Sequence, residues 1–199
     1  MFYEPSSGVE YASIYDFRLA HRNTSFGDFD TEAALNSVGL FTLNTERPEY
    51  NPVTHTVEPS GVELRDGVWS RAWQVTPLPA AELRVRLAAA VTERRWAVET
   101  GGITLPGGMV VGTTLDDQNR ITSVIANAQV AGVASVDFKA ASGWVTLTVA
   151  EVQAIAAAIA RHVQACFSAE RAHHEALAAT ADEALLAYDI EAGWPAGAA

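Results

Sequence analysis

A threonine and a glutamate three residues apart, in Thr148-Val149-Ala150-Glu151, form the strongest local constraint in this chain. The threonine hydroxyl can accept from the backbone N–H three residues on, while the glutamate reaches back, so the pair opens a helix at a defined residue. Behind it, Val152, Ile155, Ile159, Val163 and Cys166 recur on one stripe. That periodicity predicts a helix running to Ala179, about 45 Å long. A second box of the same type, Thr180-Ala181-Asp182-Glu183, predicts a short terminal helix ending near Tyr188. The stretch Gly193-Trp194-Pro195-Ala196-Gly197 is a non-helical finish.

Upstream, the chain changes character near Pro77-Leu78-Pro79. Two prolines there remove backbone donors and restrict the residues before them, which suits a joint between two units. The expected division is 1–78 and 79–199. In the first part Pro, Asn, Thr and aromatics are frequent and helix signals are sparse. Its clearest feature is the run from Val62 to Val75, where apolar residues flank Asp66-Gly67. Asp-Gly suits a tight hairpin because both central positions need positive φ. One short helix is expected from Glu32 to Val38, with Asp30 as cap and Gly39 as stop.

After Pro79, helices dominate. Leu83, Leu87 and Val91 recur at intervals of four and predict a helix to about Glu99, stopped by Gly101-Gly102. Ile103 to Val111 reads as a hairpin around Pro106-Gly107, and a helix is expected from Asp117 to Val130. Two more strands are expected at Val133–Phe138 and Gly143–Leu147, joined by Lys139-Ala140-Ala141-Ser142. The fold class is therefore α+β: a small β-rich N-terminal module for attachment, then a mixed domain with short hairpins and a long C-terminal helix.

Charge and composition narrow the function. The net charge is −11 and Lys139 is the only lysine, so nucleic acid is not an expected partner. No run of 18 apolar residues occurs, so no membrane insertion is expected. Met1-Phe2-Tyr3-Glu4-Pro5 lacks the basic flank and apolar stretch of a secretory signal. Cys166 is the single cysteine, which excludes an intrachain disulfide and a multi-cysteine zinc site.

Constellations for chemistry are few. Gly102 to Gly107 has the glycine interval of a phosphate loop, but Gly108 and Met109 stand where the lysine and hydroxyl belong. His162, Cys166 and Glu170 lie at successive intervals of four, with His173 and His174 a turn further on. Two of them could share an ion, yet a third ligand two turns away could not reach it from the same straight helix. A structural helix is the expectation, with no metal and no cofactor. Cys166 sits on the apolar stripe, where thiols behave as small hydrophobes. Asp116-Asp117 and Asp182-Glu183 fall at turns and helix starts, so no catalytic residue is assigned and no enzymatic activity is expected. Trp69, Trp73 and Trp144 could form an aromatic surface for a sugar or a protein partner; core packing is the expected role.

Three stretches carry a resemblance: Arg95 to Ile103, Gly112 to Ile121, and Val136 to Val145. With His162 to Phe167 and Gly193-Trp194-Pro195, they resemble a domain family of unknown function found in tail, tail-fibre and fibre-associated proteins of tailed bacteriophages and prophages. The segment from Arg47-Pro48-Glu49-Tyr50-Asn51-Pro52 to Trp73 is similar to a lead-in to that domain in phage proteins. The Pro106-Gly107-Gly108 insertion departs from the family's shorter turn. The resemblance implies a structural component of a phage tail, at the tip or fibre attachment, acting through protein–protein binding. An assembly chaperone for tail fibres, not retained in the virion, is the alternative. Implied partners are tail-tip, hub or fibre proteins, with the host surface met indirectly and oligomeric state imposed by tail symmetry. The implied location is the virion tail, after synthesis in the bacterial host cytoplasm.

Overall fold

The computed structural model describes residues 1–140 and 143–197. The chain divides into two compact units, Met1–Leu78 and Pro79–Ala199. Helix accounts for 45% and strand for 23%. The sheets are small and antiparallel and the longest helix is C-terminal, so the fold is α+β.

In unit 1, β1 (Phe2–Glu4) pairs with β2 (Val9–Tyr11) and β3 (Phe41–Thr42). α1 (Ile14–Ala20) starts where the Ser13 hydroxyl accepts from the Asp16 backbone N–H at 3.2 Å. α2 (Glu32–Ser37) is capped by Thr31, not by Asp30. Thr31 is the residue adjacent to the first helical position, and its hydroxyl accepts from Ala34 N–H at 3.2 Å. Phe17, Leu40, Leu35 and Tyr11 form the buried core of this region.

β4 (His55–Arg65) and β5 (Val68–Pro77) make a hairpin turned by Asp66 at φ 49° and Gly67 at φ 81°. The hairpin is longer than Val62–Val75. Pro59 and Gly61 argue against a strand by sequence, but the register shifts between them, and such a bulge lets a proline sit within a ladder.

Unit 2 opens with α3 (Ala80–Thr100), whose cap is Pro79 and whose buried stripe is Leu83, Leu87 and Val91. β6 (Ile103–Thr104) and β7 (Val110–Val111) form a short hairpin. α4 (Leu115–Ala131) begins two residues before Asp117, because Asp117 is the third helical residue of a capping box with Thr114. Gly132, left-handed at φ 66°, ends it. β8 (Ser135–Ala140) and β9 (Gly143–Thr148) pair over their whole lengths. Lys139 and Ala140 belong to the strand and not to its connection; Ala141 and Ser142 lie outside the described residues.

α5 (Val149–Ala179) carries the box expected of it: Thr148 Oγ1 accepts from Glu151 N–H at 3.2 Å, and Thr148 N–H donates to the Glu151 carboxylate at 2.7 Å. Its first half packs Val152, Ile155 and Ile159 against Ile121, Leu147, Ile103 and Val111. Its second half meets α3 in reverse order: His162 opposite Val98, Glu170 opposite Arg95 and Thr92, Leu177 opposite Arg84. The two helices are therefore antiparallel. His162, rather than Val163, continues the fully buried stripe.

The second box does not form. Thr180 is the C-cap of α5 and its hydroxyl donates to Ala176 O at 2.8 Å. With that hydroxyl engaged, Asp182–Ala187 forms a 3₁₀ turn with no side-chain cap. Asp182 pairs instead with Arg84 at 2.6 Å.

One glycine is fixed by crowding. A Cβ at Gly112 would overlap the Asp117 carboxylate that caps α4. Gly112→Ala is expected to break this box at a cost of about 1–2 kcal/mol, read by urea denaturation. Unchanged stability would show that the carboxylate can move aside.

Candidate functional site

The helical face singled out in the sequence is divided among three structural roles. His162 Nε2 lies 3.1 Å from Val98 O and 3.7 Å from Cys166 Sγ. Cys166 is 0% exposed, and burial pushes its thiol up despite the nearby Arg95 charge. A thiol so placed stays protonated at neutral pH and acts as core. Glu170 accepts from Thr92 Oγ1 at 2.6 Å and pairs with Arg95 Nε at 2.9 Å, with His174 Nε2 at 3.9 Å. Arg95 also pairs with Glu99, one turn along α3.

His173 faces elsewhere. Its ring nitrogens lie 2.8 Å from Tyr188 Oη and 2.9 Å from Ala192 O, and Trp194 stacks on it with centroids 5.1 Å apart. His173 thus ties the C-terminal segment to α5. Among the described residues no group of three His, Cys, Asp or Glu is arranged to hold a metal ion.

A buried carboxylate that sequence reasoning missed lies in unit 1. Glu4, 7% exposed, accepts from Ser7 Oγ and from Tyr11 Oη at 3.1 Å, and pairs with His21 Nε2 at 3.3 Å. Ser7 donates to the glutamate and is not bonded to the histidine, so the group is not a nucleophile–base relay. Burial pulls the Glu4 carboxyl up, but the bonds from Ser7 and Tyr11 and the His21 charge outweigh it, leaving a net lowering.

A lowered carboxyl stabilises the fold above its ordinary value of 4.5 and loses that contribution as pH falls through the folded-state value. Unit 1 is therefore expected to lose stability below about pH 4.5, and Glu4→Gln should flatten the loss. A wild-type curve with no acid slope beyond that of Glu4→Gln would contradict the role. The sequence signal was faint: an acid, a serine and a tyrosine at Glu4, Ser7 and Tyr11 on either side of a tight turn.

The tryptophans split. Trp69, half-buried, lies 5.1 Å from Tyr3 and 6.1 Å from Phe41, joining the hairpin to the three-stranded sheet. Trp73 donates from Nε1 to Glu46 O at 2.8 Å, with Arg47 over its ring at 5.1 Å. Trp144 is 72% exposed, so core packing is not its role. It stands on the outer face of β9 opposite Lys139, whose Nζ lies 5.7 Å from its ring centroid.

Two concavities are chemically rich. In unit 1, a groove of about 760 Å³ beside the long hairpin is lined by Arg47, Arg65, Arg71 and Trp73, but Arg71 is paired with Glu10 and Arg65 with Glu63. In unit 2, a cleft of about 420 Å³ lies between α4 and β8, lined by Arg120, Ile121, Val124, Phe138, Lys139 and Trp144, with Asp117 and Asp137 at its walls. Asp117 is held by Thr114 and Asp137 accepts from Thr146 Oγ1 at 2.8 Å. Among the described residues neither Arg120 nor Lys139 has an ion pair, and the Lys139 ammonium lies near the indole. This cleft is the candidate binding site: an apolar floor, a ring at the rim, and two cations and two carboxylates at its walls.

The fold is α+β, and its second unit carries a polar-rimmed cleft. The chain belongs to the family described as Domain of unknown function (DUF4376), whose model matches residues 82–192, most of unit 2. No curated protein matches the chain, and no solved structure does.

Proposed function

We propose that the protein is a structural component of a bacteriophage tail, at the tail tip or fibre attachment, and works by binding other tail proteins. The observation that carries this reading is a coincidence of position. Two of the stretches that resemble phage-tail domains, Gly112 to Ile121 and Val136 to Val145, supply opposite walls of the same cleft. Part of a recognisable sequence signature lining a concavity supports a binding role beside the packing role of the rest. Exposed Trp144 at the rim suits a protein interface, where tryptophan is enriched. The reading assigns no catalysis, and it places the protein in the virion.

The genetic test is a phage carrying a stop codon in this gene, grown on a non-suppressing host. Particles with defective tails or missing fibres are expected. Intact, fully infectious particles would contradict the proposal.

A further inference from the structure

We propose that the protein self-associates as an antiparallel twofold dimer through an uncovered side of the α3/α5 helix pair, the two copies forming a four-helix bundle. The inference goes beyond the tail reading and does not depend on it.

The face comes first. A helix side turned to solvent normally carries charge. On α3, Ala81, Val85, Ala89, Thr92 and Trp96 recur at helical spacing and make a stripe without charge. Val85 is 70% exposed and Trp96 48%. Phe167 of α5, 47% exposed, lies on the same side: the Arg95 guanidinium is 5.7 Å from the Trp96 ring centroid and 4.6 Å from that of Phe167. The opposite side of the pair is closed by the chain's own C-terminal segment, through Arg94 with Glu191 at 2.8 Å and His173 with Ala192 O at 2.9 Å. The side that carries the two rings has no such cover among the described residues.

The pattern along α3 selects a second copy. A twofold interface must be complementary to itself when reversed. Val85, Ala89, Thr92 and Trp96 run large, small, small, large, symmetric about a point between residues 90 and 91. Laid antiparallel on itself, the stripe sets Ala89 beside Thr92 of the second copy, so the helices approach closely, and Val85 beside Trp96 at both ends. The Thr92 hydroxyl already donates to Glu170 at 2.6 Å, so burying it strands no donor.

Charge gives the same centre independently. Arg86 and Glu93 lie two turns apart on one edge of the stripe, symmetric about a point between residues 89 and 90. That point is one residue, about 1.5 Å, from the centre of the size pattern. One twofold axis therefore also brings Arg86 of each copy near Glu93 of the other. Arg86 holds Glu82 of its own chain at 2.8 Å, whereas Glu93 has no ion pair among the described residues. An unrelated partner gives no reason for the two patterns to share a centre.

The size suffices. Two helices about 30 Å long and about 10 Å apart make a face of about 600 Å² in projection. Side-chain relief brings it near the ~800 Å² of accessible surface per partner that a stable dimer buries.

Sedimentation equilibrium of the full chain over a range of concentrations is expected to fit a monomer–dimer equilibrium. Val85→Glu, with an unchanged circular dichroism spectrum, should weaken the dimer about a hundredfold, while Val130→Glu, at an exposed position of α4, should leave it unchanged. Arg86→Glu and Glu93→Arg should each weaken it about tenfold, and the double variant should restore it. A monomer at every concentration, a higher oligomer, or a dimer indifferent to Val85→Glu would overturn the proposal. Failure of the double variant to restore association would reject the twofold register and overturn it as well.

Discussion

Replacing Arg95 with methionine is expected to destabilise unit 2 by about 3–5 kcal/mol. The guanidinium bridges Glu99 on its own helix and Glu170 on α5, and the three side chains are 12%, 5% and 15% exposed. It also lies over the Phe167 ring at 4.6 Å. Methionine keeps most of the stem but removes the charge, leaving two carboxylates facing one another in a nearly dry helix seam. The cost comes from those unpaired anions more than from lost attraction, because a buried pair as a whole repays its desolvation poorly. The triple variant Arg95→Met/Glu99→Gln/Glu170→Gln should therefore recover most of the loss. Urea denaturation reads both. A loss under about 1 kcal/mol for the single variant would mean the seam is solvated like a surface pair.

Phe17→Ala is the second large effect, about 3–5 kcal/mol, and it falls on unit 1. Phe17 is 1% exposed and is ringed by His21 at 4.5 Å, Phe26 at 5.1 Å, Tyr11 at 5.3 Å and Phe29 at 6.3 Å. The neighbouring side chains relax only partly into the space left by that ring, so a cavity adds to the lost burial. The loss is a large share of the 5–15 kcal/mol typical of a domain. Amide signals of residues 1–78 are expected to melt well before those of unit 2. A uniform loss across both units would contradict the assignment of this cluster to one unit's core.

What the sequence made legible was local and periodic. The capping box at Thr148 and Glu151, the Asp66-Gly67 turn and the Leu83–Leu87–Val91 stripe each specify structure through neighbours a few residues away, and each formed. The errors arose where a residue had two uses. Thr180 has the sequence of a cap for the next helix but closes the previous one, because α5 runs as far as Ala179. Pro59 is a strand breaker until a bulge accommodates it.

The candidate site was harder to see, since its parts are distant in sequence. Arg120 and Lys139 line one cleft only once α4 and β8 are folded together. Likewise, nothing in the spacing of Glu4 and His21 announces an ion pair. Trp144 misled for a different reason: alternation along β9 puts it on the face opposite Val145 and Leu147, and only the sheet's position decides which face is core.

The central claim, that this protein is a permanent part of a phage tail, is tested most directly by quantitative mass spectrometry of gradient-purified particles beside the infected-cell lysate. The account predicts peptides from both units in the particles, at a fixed ratio to the other tail proteins across independent preparations. Peptides abundant in the lysate and missing from intact particles would contradict it, and would transfer the role to a tail-fibre assembly chaperone.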